Sequence, residues 1–237
     1  MNQYTIFPLG DSAATIDFGN FINEELNKKV IAMQSWLMDH PFSGIRDLVV
    51  SYSSLTIIYD AEKVRASQVL NGTVFNYVKQ KLEESLAGAV VQDKGKNIKR
   101  IPVCYDPSFG YDLDNIAAEK KISVEEVIRL HSAEIYRVYM IGFLPGFPYM
   151  AAVNDKISVS RKHKPRSIIK SGSVGLAGKQ TGIYSLDSPG GWQIIGRIPM
   201  RLFDKNKPNA LIIKAGDYVQ FYPIALKDFL TLSQTKS

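Results

Sequence analysis

The chain has one cysteine, Cys104, and three histidines in 237 residues. A single cysteine excludes an intrachain disulfide and a cysteine-rich zinc site, and it agrees with a reducing compartment. No apolar run approaches the roughly 18 residues that a membrane-spanning helix needs, and the N-terminus lacks the basic start and apolar core of a signal peptide. These shortages predict a cytoplasmic protein that does not bind a membrane.

The chain also lacks a complete phosphate-binding loop and a nucleophile elbow. Gly178 and Lys179 supply the GK of a P-loop, but Ser173 occupies the position of the first glycine, and Gln180 replaces the Ser or Thr that would meet magnesium. Ser173 follows Gly172 directly, which is the wrong spacing for G-x-S-x-G. No three side chains show the spacing of metal ligands, so no protein-bound metal is expected.

What the chain does have is a glycine-rich block at 172–197, which holds seven of its seventeen glycines. The segment 188–192, SPGGW, is typical of a tight turn that delivers an aromatic side chain to a defined place. We therefore predict hairpins whose loops contact a ligand or a partner, and the alternative is a turn region without a ligand. The candidate contact residues are Gly178, Lys179, Gln180, Thr181, Tyr184, Pro189, Gly190, Gly191 and Trp192.

A second unusual loop, GFLPGFPYM, spans residues 142–150. Its aromatic residues, prolines and glycines indicate a stiff, apolar segment. Such a loop can close over a groove or dock a partner, and the alternative is a buried plug at the end of a barrel. The candidate binding residues are Phe143, Pro145, Gly146, Phe147 and Tyr149.

The positive charge is partly concentrated in one run. The net charge is +6, and RKHKPR at 161–166 carries four fixed positive charges in six residues. This run predicts a site for an anion or an acidic partner, against the alternative of a solvated loop. No helix-turn-helix, zinc-finger or RRM signature accompanies it, so nucleic acid is not an expected partner.

The periodicity predicts an α+β protein with two domains. Residues 1–90 alternate short strands with two amphipathic helices, the second at 66–86, which indicates an α+β sandwich. The polar stretch 91–98 is typical of a linker. Residues 99–237 contain a pair of short helices at 112–121 and 124–131, followed by many short strands, the last two within 211–222. Such a succession favours a closed β-barrel.

Three segments resemble one known family. They are GFLPGFPYM at 142–150, PRSIIKSGSVGLAGKQTGIYSLDSPGGWQIIGR at 165–197, and the AGDYVQFYPI that ends at Ile224. The family is that of the first subunit of allophanate hydrolase, also called the 5-oxoprolinase B subunit or KipI-like family. The resemblance covers essentially the whole chain, and it implies an N-terminal α+β domain followed by a cyclophilin-like β-barrel.

The resemblance implies one of three roles, each with a partner protein. The first is the B subunit of an ATP-dependent 5-oxoprolinase, which works with the C and A subunits and opens 5-oxoproline to glutamate, with ATP bound by the complex as its magnesium form. The second is a role in urea or allophanate metabolism. The third is inhibition of a sensor histidine kinase, for which the aromatic loop would be the docking surface.

Candidate catalytic groups are few. Lactam opening with ATP calls for basic and backbone donors around a phosphoryl group, and Arg166, Arg197 and Lys179 are near one another in sequence. The acid–base candidates are His163, whose alternative is a surface residue of a basic loop, and Asp187, whose alternative is a turn cap. This scarcity leads to the hypothesis that the chain contributes half of a composite active site, and that the C subunit supplies the rest.

Overall fold

A computed structural model describes residues 4–67, 70, 72–91, 95–96, 98–206 and 210–234. Its contacts divide the chain into two compact units, Met1–Gly95 and Lys96–Ser237. Each unit has its own core of buried apolar side chains. None of the helices in the described ranges is long and apolar enough to cross a membrane.

The N-terminal unit is a four-stranded antiparallel sheet with three helices. The strand order is β1-β2-β4-β3, so β1 and β3 form the two edges. The strands are β1 (Thr5–Pro8), β2 (Ala13–Asp17), β3 (Ile45–Val50) and β4 (Ser54–Tyr59), and the helices are α1 (Glu24–Asp39), α2 (Ala61–Ser67) and α3 (Val74–Gly88).

Helix α1 follows from its sequence. The side chain of Asn23, a residue type favoured at this position, accepts a hydrogen bond from the backbone amide of Leu26 and so caps the helix. Leu26, Val30, Met33 and Leu37 are buried along one face of the helix. This stripe packs into the N-terminal core, as its spacing predicts.

The single helix predicted at 66–86 is wrong, because the structure has two helices. Helix α2 ends at Ser67, and α3 begins at Val74 with the Thr73 side chain as its N-cap. Gly72 has a φ of +112°, which a helix does not tolerate. The apolar stripe on which the prediction rested continues through the buried Val74, Val78 and Leu82 of α3. The periodicity therefore did not reveal the break between the two helices.

The C-terminal unit is built around a curled seven-stranded sheet with the order β12-β9-β10-β7-β6-β13-β5. Its edge strands meet at one end, where Cys104 and Arg197 exchange two backbone hydrogen bonds of 2.8 and 2.9 Å. This contact closes the sheet, and it confirms the predicted α+β class with a barrel in the second unit. The strands are β5 (Ile98–Val103), β6 (Ile135–Ile141), β7 (Pro148–Ala151), β9 (Ser173–Ala177), β10 (Gln180–Ile183), β12 (Gln193–Arg197) and β13 (Tyr218–Pro223).

Smaller elements complete this unit. Strands β8 (Arg166–Ile169) and β11 (Ser188–Gly190) form a separate two-stranded ribbon. Helices α4 (Leu113–Lys120) and α5 (Val124–Ala133) form the predicted pair, and α6 (Leu226–Gln234) follows the last strand.

The two strands predicted within 211–222 are a partial error. Only β13 forms, and Leu211 makes an isolated bridge to Phe203 instead. The amide of Lys214 donates to the carboxylate of Asp217, so the segment before β13 is a turn.

Candidate functional site

A buried carboxylate, Asp112, lies at the centre of a polar cluster in the C-terminal unit. It occupies the N-cap position of α4, yet its side chain does not cap that helix. Instead it accepts two bonds from the Arg166 guanidinium, at 2.8 and 2.9 Å, and one of 2.9 Å from the Lys162 ammonium. The Ile194 amide adds a fourth bond of 2.6 Å. One carboxylate therefore fixes two loop cations and strand β12.

The ionisation of Asp112 follows from these partners. Burial alone would raise the pKa of the carboxyl group, but the bonds from Arg166, Ile194 and Lys162 outweigh it and hold the pKa below its usual range. Asp112 is thus a buried anion whose charge is matched by two cations, which is the condition under which a buried charge is tolerated.

The basic loop, defined as residues 160–166, is held by further contacts. The Lys162 amide donates to the Gly191 carbonyl at 2.7 Å, and the Gln193 side chain donates to the Ser160 carbonyl at 3.2 Å. The Arg161 guanidinium lies 5.8 Å from the centroid of the Trp192 ring. These contacts attach the basic loop to the glycine-rich block, so these two stretches form one surface.

The candidate aromatic residues of the 142–150 loop and of the glycine-rich block form one aromatic cluster, made of Phe143, Phe147, Tyr149, Tyr184 and Trp192. Phe147 lies at its centre, with ring centroids 4.7 Å from Tyr149, 5.2 Å from Tyr184 and 5.4 Å from Trp192. The edge-to-face angles of 86° to Tyr184 and Trp192 are a favourable aromatic geometry. The loop at 142–150 and the SPGGW turn therefore pack against each other.

The aromatic loop combines both structures considered for it. Phe147 is 1% exposed and plugs the cluster, whereas Phe143 is 61% exposed with a φ of +65°. Pro145 is exposed as well, whereas Gly146 packs so closely on Phe203 and Leu211 that an added Cβ would lie 2.9 and 3.0 Å from their side chains. The exposed end of the loop is the part that is available to a partner.

Gly190 is required by close packing in the aromatic cluster. A Cβ added there would lie 2.3 Å from the Tyr184 hydroxyl and 2.7 Å from Ile169. The Tyr184 hydroxyl also accepts a bond from the Trp192 amide, while burial raises its pKa to about 12. Tyr184 therefore cannot move aside without losing a contact to the glycine-rich block.

We expect Gly190→Ala to destabilise the C-terminal unit by about 1–3 kcal/mol, the usual cost of overpacking. Gly191→Ala is the matched control, because its added Cβ would have no atom nearer than 3.6 Å. Urea unfolding of the two variants measures the difference. Equal stabilities would show that the Tyr184 contact is not needed.

The remaining candidates do not converge on one point. Lys179 and Gly178 form the exposed β9–β10 turn, where the ammonium of Lys179 pairs with Asp155 at 2.8 Å. Arg197 donates to the Ser171 carbonyl, and Asp187 accepts from Lys170 and from the Ser171 amide. The three cations considered together on the sequence, Arg166, Arg197 and Lys179, thus have three different partners.

Other candidates differ in exposure. His163 is exposed in the basic loop and Pro189 is exposed in β11, whereas Gln180 is half-buried. Thr181 is buried, and its hydroxyl is engaged inside the barrel. The side chain of Thr181 is therefore part of the core and does not face the surface of its hairpin.

The hydroxyl of Thr181 belongs to a buried chain of hydrogen bonds. It donates to the Gly175 carbonyl at 3.1 Å and so accepts from Nε2–H of His131 at 3.0 Å. Nδ1 of His131 then accepts from the Tyr105 hydroxyl at 2.7 Å. Burial lowers the pKa of His131 to about 3, so the imidazole is neutral. This series of hydrogen bonds joins helix α5 to strands β9 and β10.

Sequence reasoning missed Asp112. It was predicted only as the first residue of the helix at 112–121, and its cation partners lie about 50 residues later in the chain. Within the described ranges, no group of three His, Cys, Asp or Glu side chains could hold a metal ion.

Comparison with known proteins gives the following matches. The family described as carboxyltransferase domain, subdomain C and D, matches residues 4–213. The 5-oxoprolinase B subunit of Bacillus subtilis (strain 168) is 41% identical over 230 residues, which are 96% of this chain and 95% of that protein. The urea amidolyase of Saccharomyces cerevisiae is 24% identical over 92% of this chain but only 13% of its own length.

Two solved structures are similar. PH0987 from Pyrococcus horikoshii is 42% identical, with a TM-score of 0.55 over 95% of this chain and 100% of its own. TTHA0988 is 32% identical, with a TM-score of 0.76 over 90% of this chain, and this chain spans 40% of its length. The same fold thus occurs as a whole chain and as part of a longer one.

Proposed function

The chain belongs to the carboxyltransferase subdomain C and D family, which includes proteins named as the B subunit of 5-oxoprolinase, and from this premise we propose that it is the B subunit of an ATP-dependent 5-oxoprolinase. In this proposal it forms a composite active site with the C subunit, the A subunit takes part, and 5-oxoproline is opened to L-glutamate. The observation that carries the proposal is the 41% identity to the Bacillus subtilis protein over nearly the full length of both chains.

The need for a partner is supported by how the family is assembled. In TTHA0988 and in urea amidolyase the region similar to this chain is joined to further polypeptide, since it covers only 40% and 13% of their lengths. A chain that carries the same region alone would obtain the equivalent contacts from a separate protein. The exposed Phe143 at the edge of the aromatic cluster offers an apolar surface for such a contact.

The basic loop is the part of this chain best suited to the substrate. In the described part of the chain, no carboxylate forms an ion pair with Arg161 or Lys164, whereas Asp112 fixes Lys162 and Arg166. The pairs with Asp112 anchor the loop at Lys162 and Arg166 and so position the backbone of Arg161 and Lys164, and charges positioned beforehand stabilise negative charge with little reorganisation. We assign to this loop the carboxylate of 5-oxoproline or a phosphoryl group of ATP, and to Trp192 the wall beside it.

The composite-site hypothesis agrees with the scarcity of free acid–base groups. Asp112 and Asp187 are engaged by cations, which hold their pKa values below the usual range. Burial would raise the pKa of Asp112, but the bonds from Arg166 outweigh it, and the pKa of Asp187 is lowered mainly by Lys170. His131 is buried and neutral. His163 and Asp187 are both exposed, but Asp187 is already paired with Lys170. The general base and most contacts to ATP are therefore assigned to the C subunit.

A second function, inhibition of a histidine kinase, is favoured by one observation. Phe143 is 61% exposed and has a left-handed backbone conformation, as expected of a side chain held out for contact. In that case the aromatic loop would dock the kinase, and the basic loop would have no substrate. A urea derivative is the alternative substrate if the chain is part of an enzyme.

Co-expression with a candidate C subunit, with the A subunit added, tests the proposal. We expect co-purification, ATP hydrolysis that depends on 5-oxoproline, and formation of glutamate, while the isolated chain shows none of this turnover. A stable complex without 5-oxoproline-dependent hydrolysis would indicate another lactam or a urea derivative. Turnover by the isolated chain would contradict the composite site, and failure to form any complex would favour the kinase inhibitor.

A further inference from the structure

The N-terminal unit contains an open cleft of about 940 Å³ that the proposed function does not use. Phe18 and Leu26 form its buried floor. Its sides include Tyr4, Phe21 and Val91, all of which are exposed. The cleft therefore presents apolar surface that is open to solvent, with three aromatic rings, those of Tyr4, Phe18 and Phe21, in its lining.

The aromatic side of the cleft is held in place by the backbone. Gly19 has a φ of +110°, and a Cβ there would lie 2.4 Å from the Phe21 ring. The carboxylate of Asp17 accepts from the Gly19 amide at 3.0 Å, and the Ser53 hydroxyl donates to the Gly19 carbonyl. Phe21 is thus packed over a fixed turn even though it is 51% exposed. Exposure of an aromatic ring on such a rigid support suits binding.

Two carboxylates and one lysine among the residues that line the cleft differ in whether they already have a polar partner. Asp17 is engaged by the Gly19 amide, and Glu25 pairs with Lys28 at 2.8 Å. Lys29 places its ammonium 5.5 Å from the Phe18 centroid, and no carboxylate in the described part of the chain lies within ion-pair distance of it. The cleft therefore joins an aromatic surface to one cation without an acidic partner.

We propose that this cleft binds a small aromatic monocarboxylate, with the ring against Phe18 and Phe21 and the carboxylate on Lys29. Aromatic rings pack edge-to-face or offset against one another, and an ammonium–carboxylate hydrogen bond is strengthened by its charges. The combination selects the acid over its neutral amide, because only the acid gives Lys29 an anionic partner.

Calorimetric titration of the full chain with 1-naphthaleneacetate tests this site. We expect binding, and we expect the neutral 1-naphthaleneacetamide to bind at least about tenfold more weakly, a difference of about 1.4 kcal/mol. Lys29→Met should weaken binding of the acid by a similar factor while keeping the length of the side chain. Phe21→Ala should weaken both the acid and the amide, since it removes the aromatic side of the cleft.

Lys79→Met is the matched control, because Lys79 is an exposed residue of α3 outside the cleft. It should leave the affinity for the acid unchanged, and unfolding curves of all variants verify that the fold is kept. The site is refuted if the acid does not bind, or if the acid and the amide bind equally well. Equal affinity of wild type and Lys29→Met for the acid would also refute it.

Discussion

Replacing Asp112 with alanine is expected to destabilise the C-terminal unit by about 3–5 kcal/mol, the usual cost of removing one partner from a buried ion pair. The substitution leaves Lys162 and Arg166 without their anion, and the Ile194 amide without its acceptor. Because the two cations are about one quarter exposed, water can reach them, and we expect a value at the lower end of this range.

Urea unfolding followed by Trp192 fluorescence in a Trp36→Phe background measures this effect, since Trp36 is in the N-terminal unit and Trp192 in the C-terminal one. Asp187→Ala is the control: that carboxylate also accepts from a lysine and a backbone amide, but it is exposed, so its loss should cost less than about 1 kcal/mol. A similar loss in both variants would show that burial of Asp112 contributes nothing.

Asp112→Asn separates charge from shape. The amide can still accept from Ile194 or Arg166, but it cannot neutralise two cations. If the basic loop serves the proposed enzyme complex, this variant should lose most of its 5-oxoproline-dependent hydrolysis while it still co-purifies with the C subunit. Full activity in Asp112→Asn would contradict the assignment of this loop to the substrate.

Acidification is expected to destabilise the C-terminal unit between pH 6.5 and about 4.5, through His131. The pKa of this imidazole is lowered by burial to about 3 in the folded chain, whereas an unfolded histidine has a pKa near 6.5. Between these values the unfolded chain binds a proton that the folded chain does not, so stability falls as the pH falls. Each pH unit corresponds to about 1.4 kcal/mol, so the loss over these two units is about 2–3 kcal/mol.

Unfolding curves of wild type and His131→Gln as a function of pH check this expectation. The variant should be less stable at pH 7, because the bonds from Tyr105 and to Thr181 are altered, but its stability should change little down to pH 4.5. Below that pH stability is also lost through carboxyl groups whose pKa values are depressed, including Asp112, so the comparison is made above pH 4.5. His163→Gln, at an exposed position, is the control and should keep the wild-type slope. A wild-type slope in His131→Gln would disprove the role of the imidazole.

Local features were predictable from the sequence because they depend on neighbours in the chain. The stripe of α1 and the α4–α5 pair formed where spacing placed them, and the side chains of Asn23 and Ser123 cap α1 and α5 as local capping rules expect. The error at 66–86 has the same origin, since an apolar stripe continues across the break at Gly72.

The site was less predictable, because its contacts cross the chain. The sequence indicated the basic run and the two unusual loops, but it did not show that Asp112 would pair with Lys162 and Arg166. It also did not show that Thr181 would point into the barrel toward His131. Pairings of this kind depend on the closed sheet, and no local rule encodes them.

The pairing of β5 with β13 has a consequence for how the chain is made. These strands are parallel, and they join the first and last strands of the C-terminal unit, about 120 residues apart. The sheet therefore cannot complete before the last strand has left the ribosome, whereas the N-terminal unit can fold earlier. Pairing between such distant segments is slow to form. During this delay β5 and one edge of β6 are without their partner β13, so these strand edges are exposed to aggregation while the chain is being made.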